Sequence, residues 1–274
     1  MASPEELSAV CKDLRVKILR MLAQAGSGHP GGSLSSVELV AVLYFDFMNY
    51  RVGEPGWPAR DRFIISKGHG VPTLYAALAQ AGCIEEEELS TLRTLGSRLQ
   101  GHPDHVRLPY IEAATGSLGQ GLSTAVGISL AERLDKDNDY RIYCLLGDGE
   151  VQAGQVWEAA MAAGQFDLGG LTAIVDYNKV QLDGHVRDIM DLHPLAAKWK
   201  SFGWHVLEID GHDIVAIQDA FARAREIEDQ PTVIVANTVK GKGVSFMEDS
   251  PAWHGKTPNP EELDMALAEV AGGL

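Results

Sequence analysis

The sequence predicts a three-layer α/β/α domain on a mostly parallel sheet, and three observations predict it. Short apolar runs at 63–65, 142–146, 171–175 and 233–236, with a further segment from Val206 to Ile209, have the length of strands. Segments with apolar residues at helical spacing alternate with them, as expected when crossovers join parallel strands. Runs such as Ile142-Tyr143-Cys144-Leu145-Leu146 are apolar throughout rather than at every second position, which fits strands covered by helices on both faces. The 274 residues contain no repeat, low-complexity tract or Pro-rich linker, so residues 1–274 are expected to form one domain.

In chain order, Ser3-Pro4-Glu5-Glu6 starts a helix. Ser3 caps free amides, Pro4 takes a first-turn position where its missing N–H costs nothing, and Glu6 reaches back. Leu7, Val10, Leu14, Ile18 and Leu22 carry its apolar face as far as Gly26. Gly26-Ser27-Gly28-His29-Pro30-Gly31-Gly32-Ser33 is too rich in glycine for a regular element and is expected as a flexible loop presenting His29, with a helix from Ser35 through Leu43. The strand at 63–65 delivers Ser66-Lys67-Gly68-His69-Gly70, and a helix follows over 73–81. The acidic run Glu85 to Glu88 opens a solvated helix, and residues 110–114 are ambiguous. Gly116-Ser117-Leu118-Gly119-Gln120-Gly121 precedes an apolar helix through Leu130. Helices over 156–166 and 214–227 complete the alternation, and a short helix over 261–270 ends the chain.

A formal charge of −15 gives no electrostatic grip on nucleic acid or anionic membrane. It makes binding of an anionic cofactor depend on a metal ion and locally placed cations. No apolar stretch has the length of a membrane span, and the amino terminus lacks the basic and apolar regions of a signal peptide. Cys11, Cys83 and Cys144 lack metal-ligand spacing and are expected as buried thiols. The expected setting is the cytoplasm, with neither nucleic acid nor membrane as partner.

The chemistry concentrates where strands end. Gly147-Asp148-Gly149-Glu150 follows one apolar run and Asp176-Tyr177-Asn178-Lys179 another, so Asp148 and Asn178 leave the carboxyl edge at which open α/β sheets bind ligands. A carboxylate, an amide oxygen and a backbone carbonyl are hard ligands that suit Mg2+ and leave room for two phosphate oxygens and a water. Gly-Asp-Gly alone is a common turn, so the weight rests on its surroundings. The glycines of 116–121 either bring amides or backbone close to a phosphate or ring, or allow close helix packing. Their order is not a dinucleotide fingerprint. His29, His69, His102 and His254, with His105 a little after His102, lie in glycine- or proline-marked loops, and four loops of the same style suggest a polar cluster of neutral donors and proton-transfer groups. Zinc is a weaker reading, because no histidine pair has helical metal spacing and no cysteine joins them. Lys67 and Lys240, each beside glycine after a strand, either meet phosphate or are solvated. His185, His193, His205 and His212 read as surface or packing residues.

Ser27-Gly28-His29-Pro30-Gly31, Ser66-Lys67-Gly68-His69-Gly70, Gly101-His102-Pro103, the run from Thr115 to Gly121, Gly147-Asp148-Gly149 with Asn178, and His254-Gly255 stand in the order and spacing of transketolases. Over essentially its whole length the chain resembles that family. The resemblance implies a thiamine-diphosphate enzyme in which this chain is the diphosphate-binding domain, with the corresponding fold. It implies that Asp148, Asn178 and the Val180 carbonyl hold Mg2+ or Ca2+. Gly149 and His69 then meet the diphosphate, with Asn178 and His254 as further cofactor contacts, and Gly116, Ser117 and Leu118 line the aminopyrimidine and thiazolium side. His29, His102 and His254 bind the sugar hydroxyls and help move protons as the donor C–C bond breaks.

The sequence departs from the family pattern twice. It stops after the helix at 261–270, whereas a complete transketolase continues with a pyrimidine-binding domain and a third domain, which carry the activating glutamate, the aromatic bed and the sugar-phosphate contacts. The resemblance therefore implies the amino-terminal subunit of a split transketolase, assembled as two copies each of this chain and a carboxy-terminal subunit. The reaction expected is transfer of a two-carbon ketol unit from a ketose, by default a pentose phosphate, to an aldose. Ala153 stands where transketolases usually carry a glutamate in the carboxylate link between two cofactors, while Glu158 matches a second such glutamate. The alternatives are a related thiamine-diphosphate enzyme similar to 1-deoxyxylulose-5-phosphate synthase, disfavoured by the Ser-Gly-His-Pro-Gly and Gly-His-Pro loops, and a non-catalytic scaffold subunit, disfavoured by the full histidine set.

Overall fold

The computed structural model describes residues 2–134 and 140–272. Helix α1 (Pro4–Ala25) begins as the sequence dictates: Ser3 Oγ accepts from Glu6 N, the Glu6 carboxylate accepts from Ser3 N, and Gly26 closes the helix at φ 61°. The stretch expected as a loop over 26–33 folds in its second half into a short helix, α2 (Pro30–Leu34), with Pro30 in its first turn. Its glycines serve close approach rather than flexibility. A Cβ on Gly31 would stand 2.9 Å from the Trp253 carbonyl oxygen and 3.0 Å from the Lys240 side chain.

α3 (Val37–Val42) runs on into a π-helical turn, Leu43–Phe47. β1 (Arg62–Ile65) and α4 (Val71–Gln80) come next, then a 3-10 segment, Glu86–Thr91, that contains most of the acidic run. Residues 110–114 form no strand, and α5 (Gln120–Leu134) follows the glycine run. β2 (Ile142–Gly147) passes directly into the single turn α6 (Asp148–Val151), then α7 (Gly154–Gln165) and β3 (Leu171–Tyr177). A small hairpin of β4 (Val180–Gln181) and β5 (Gly184–His185) leads to α8 (Val186–Ile189) and α9 (Leu195–Ser201). β6 (His205–Asp210), α10 (Ile214–Glu226), β7 (Thr232–Asn237) and α11 (Pro260–Gly272) complete the described chain.

The main sheet has five parallel strands in the order β1-β2-β3-β7-β6. Phe63, Ile65, Tyr143, Leu145, Ile174, Leu207 and Ile234 face one core, which α1, α3, α4 and α10 close with Leu14, Val40, Leu74 and Phe221 among others. Ile64, Ile142, Cys144, Leu146, Ala173, Val175, Val233 and Val235 face a second core, closed by Val126 of α5, Ala160 of α7 and Trp199 of α9. The sheet is thus covered on both faces, which explains strands that are apolar at consecutive positions. Each fully buried Leu or Ile contributes roughly 1.5–3 kcal/mol of transfer free energy. The register aligns Leu145, Ile174 and Ile234, so the chain leaves β1, β2, β3 and β7 along one carboxyl edge. Cys11, Cys83 and Cys144 are free thiols, and among the described residues no helix is long and apolar enough to cross a membrane.

Candidate active site

At that carboxyl edge lies a cavity of about 310 Å3, bordered by Asp148, Gly149, Asn178, Val180, His29, His69, His102, His254, Gly116 and Leu118. Residues more than 200 positions apart in sequence therefore meet in one place. Its buried end is electrostatic. Asp148, 2 % exposed, opens α6, where its Oδ1 accepts from Gly149 N at 2.7 Å and its Oδ2 from Lys179 N. Burial, with the Asp176 carboxylate nearby, pushes Asp148 up to about 7. Its carboxylate is bonded only to backbone N–H groups, so its charge is poorly compensated.

Asn178 is held at both ends, its Oδ1 accepting from Val180 N at 3.1 Å and its Nδ2 donating to Asp176 Oδ2 at 3.0 Å. The Val180 carbonyl accepts from Lys240 Nζ at 2.8 Å, and the same ammonium lies 2.9 Å from His254 Nδ1. An ammonium has no lone pair, so His254 accepts at Nδ1 and carries its proton on Nε2. Burial lowers Lys240 to about 8, against the pull of Asp148 and Asp176.

Asp176 is fully buried and organises this end. It accepts from Lys67 Nζ at 2.6 Å, Ser35 Oγ at 2.7 Å, the Asn178 amide and the Thr238 hydroxyl. Burial opposes its charge, but Lys67 and the hydroxyl donors outweigh it and hold the carboxyl below its ordinary range. Lys67 and Lys240 are both buried, so the solvated reading of these lysines is wrong: each follows a strand whose end is enclosed by packed loops. Lys67 also donates to the Gly32 carbonyl at 2.6 Å, so two of its three protons are committed inside the protein.

Glu150 joins three pieces of the wall, accepting from Ser66 Oγ, from Gly119 N at 2.8 Å and from Gly147 N at 3.1 Å. Burial raises its pKa. The helix-packing reading of the glycine run holds at Gly121, where a Cβ would lie 2.4 Å from the Ser66 side chain. At Gly116, with φ 145°, a Cβ would stand 2.9 Å from the His102 ring.

The histidine rings of His29, His69 and His254 pack edge-on or tilted, with centroids 5.1, 5.2 and 5.4 Å apart. Burial first, and neighbouring cations second, lower the basicity of the whole group. His29 falls to about 4 and His254 to about 3, His69 lies well below the ordinary value, and His102 is lowered. They are neutral at pH 7, as the loop chemistry suggested. His29 Nδ1 is buried without a hydrogen-bond partner. Among the described residues no three His, Cys, Asp or Glu side chains converge as metal ligands, which gives the zinc reading no site.

Two residues of the sequence-derived set lie outside the cavity wall: Ser117 is exposed beside it, and Glu158 is exposed on α7. Ala153 precedes α7, its Cβ 3.1 Å from where a Cβ on Gly119 would stand. His212 is a packing residue bonded to Glu38 and to Val239 N. Sequence reasoning missed Glu150 and Asp176. For Asp176 a signal existed, since a carboxylate ending an apolar strand must find partners inside the fold.

The chain matches the family "Transketolase, thiamine diphosphate binding domain" over residues 7–270. It is 47% identical over 257 residues to the 6-deoxy-6-sulfo-D-fructose transketolase subunit SqwG of Clostridium sp. (strain MSTE9), covering 94% of this chain and 93% of that one. It is 40% identical to a subunit of the apulose-4-phosphate transketolase of Phocaeicola vulgatus, covering 97% and 94%. The human transketolase is 41% identical over 261 residues, but there the match spans 94% of this chain and 41% of the relative. The crystal structure of the Campylobacter jejuni transketolase superposes with a TM-score of 0.93 at 32% identity, over 98% of this chain and 43% of that one.

Proposed function

Because the chain belongs to the transketolase family and carries its thiamine-diphosphate-binding domain, we propose that residues 1–274 are the diphosphate-binding component of a two-chain transketolase that moves a two-carbon ketol unit from a ketose to an aldose. The observation that carries this reading is the meeting, in one cavity, of a buried carboxylate short of positive charge with four neutral histidines. The residues present fit the cofactor. Asp148, Asn178 and the Val180 carbonyl offer three hard oxygens for Mg2+ or Ca2+, and the ion would neutralise Asp148 while Lys240 yields the carbonyl it now occupies. His69 and the Gly149 backbone would meet the diphosphate, with Asn178 and His254 beside them, and Gly116, Ser117 and Leu118 would border the rings.

Thiamine diphosphate, when bound, would supply an electron sink for breaking the donor C–C bond. The chain's own groups bind and orient the sugar. His254, its proton fixed on Nε2 by Lys240, donates a hydrogen bond to a sugar oxygen. His29 borders the cavity, and His102 flanks it at the more exposed side. Their low basicity suits them to stabilise a developing alkoxide without adding a fixed charge.

The rim supports a partner. Leu118 and Leu182 border the cavity and are 43% and 64% exposed, and Ile189 and Met190, which follow the hairpin that carries Leu182, are also exposed. Apolar groups of this kind around a polar site favour a covering protein surface. Two relatives matched over nearly their whole lengths are named subunits. The partner proposed is a carboxy-terminal subunit with the pyrimidine-binding domain, in an assembly of two copies of each chain in the cytoplasm. Exposed Glu158 is then free to enter the interface and retain part of the carboxylate link that Ala153 shortens. The names of the relatives, one a sulfosugar and one a sugar-phosphate enzyme, favour an anionic sugar, with pentose phosphates as the default.

The test uses a ketose labelled with 13C at C1 and C2, incubated with an aldose, Mg2+, thiamine diphosphate and both subunits. Label in the lengthened acceptor is the expected result. Release of CO2 with a deoxy sugar from pyruvate would indicate the synthase-like alternative, and partner turnover independent of this chain would indicate a scaffold.

A further inference from the structure

Arg93 follows the Glu86–Thr91 segment and adopts the left-handed conformation, φ 61°, rare for a residue with a side chain. Its guanidinium lies against the two turns that present cavity histidines. A Cβ on Gly101 would come within 2.7 Å of Arg93 Cζ and 2.9 Å of Nη2, and a Cβ on Gly28 would stand 4.0 Å from Nε. Gly28 and Gly101 immediately precede His29 and His102; at Gly101 only a glycine leaves room for the arginine where it lies, while at Gly28 the arginine is at ordinary contact distance and it is Leu22 that a Cβ would meet.

The guanidinium is also free. Arg98 and Arg107 on the same stretch are paired, with Glu88 at 2.6 Å and Asp104 at 3.3 Å. Lys67 is bonded to Asp176 and Gly32, and Lys240 to Val180 and His254. Among the described residues the Arg93 guanidinium pairs with no carboxylate and no carbonyl, and the residue is exposed. In a chain of net charge −15, an unpaired cation held beside a site is where an anion is drawn.

Resting on the ketol-transfer reading, we infer that Arg93 is a specificity-determining residue that binds the terminal oxyanion, phosphate or sulfonate, of a sugar whose hydroxyls lie among His29, His102 and His254. A guanidinium presents a planar fork of donors that matches two oxygens of such a group. Packing against Gly101 restrains the side chain before the anion arrives, which reduces the ordering cost. The same positive charge helps keep His29 and His102 neutral, so one group serves both ends of the substrate. Recognition of the anionic tail is then shared between the two chains rather than confined to the partner.

The experiment compares wild type, Arg93→Gln and Arg93→Lys in the complex with the partner subunit, Mg2+ and thiamine diphosphate. The readout is the ratio of kcat/KM for ribose 5-phosphate to kcat/KM for ribose as acceptor. Loss of hydrogen bonds to a charged group lowers this ratio about tenfold in Arg93→Gln and by less in Arg93→Lys. An unchanged ratio, with both rates falling together, overturns the proposal and leaves Arg93 as a clamp for the histidine turns. If the wild-type complex transfers no ketol unit to either sugar, the functional reading fails instead. Calorimetry of inorganic phosphate binding to the chain loaded with Mg2+ and thiamine diphosphate then decides on Arg93: weaker binding in Arg93→Gln supports it, equal binding overturns it.

Discussion

At the buried end of the cavity Asp176, Lys67, Asn178 and Glu150 find their polar partners within this chain, whereas at the rim Leu118, Leu182 and Arg93 face outward and His29 Nδ1 has no partner. The difference is one of completeness. A network in which each member is hydrogen-bonded holds its geometry before any ligand arrives. A rim with exposed apolar groups and an unpaired cation is shaped for something that comes later. The chain therefore reads as a finished anchor for a cofactor joined to an unfinished reaction chamber.

The largest expected effect lies at the rim. In the loaded complex, His29→Ala lowers kcat/KM by about a thousandfold, in the range of a lost proton-transfer or alkoxide contact, while cofactor affinity changes by about twofold at most. Steady-state kinetics alongside cofactor titration check this, and a loss of affinity equal to the loss of rate would erase the division between the two ends. At the buried end, Asp148→Ala weakens Mg2+-dependent thiamine-diphosphate binding by at least about a hundredfold. Calorimetry reads that effect directly, and unaltered affinity would remove Asp148 from the anchor.

Asp176→Ala strands Lys67 as a buried charge without its counterion and destabilises the chain by about 3–5 kcal/mol, measured by urea unfolding. The matching rim variant, Leu182→Asp, shifts the stability of the isolated chain by no more than about 0.5 kcal/mol. It weakens association with the partner subunit by about tenfold in ultracentrifugation. Similar unfolding midpoints for the two variants would mean that the buried end is no more integral than the rim.

The smallest effect is in pH. An unfolded histidine binds its proton near 6.5, whereas His29 and His254 in the fold do so only at about 4 and about 3. The unfolded state thus holds more protons below about 6.5, so stability falls as pH drops from there toward 4. The imidazole NMR signals of both residues should stay unshifted down to pH 5. Asp148 has the opposite sign. Its carboxyl, raised to about 7, loses stability as pH rises from about 4 to 7 without a cation, so Mg2+ with thiamine diphosphate should raise Tm more at pH 8 than at pH 6.

What could be read from the sequence tracks how local each determinant is. Helix α1 was legible because its cap and its apolar face lie within 22 consecutive residues, and the sheet because its central strands are nearly contiguous apolar runs. Helix α2 was not, because glycine content argues locally against a helix while the contacts that require glycine come from Trp253 and Lys240. Asp148 and Asn178 were visible as polar residues ending strands. The partners of Asp176 were not, since Ser35, Lys67 and Thr238 lie 141, 109 and 62 positions away. Position in a motif also does not fix the direction of a side chain, which is why Ser117 and Glu158 belong to the pattern but not to the cavity wall. Arg93 carries no sequence signal, because an arginine in a loop is ordinarily solvated and only its packing against Gly101 sets it apart.

The division between a complete anchor and an incomplete chamber is tested most directly by assaying cofactor binding and ketol transfer on the purified chain, alone and with the carboxy-terminal subunit. The expected result is that the chain alone binds Mg2+ and thiamine diphosphate measurably but transfers no ketol unit, and that turnover appears when the partner is added. Turnover by the chain alone at the rate of the mixture would contradict that division.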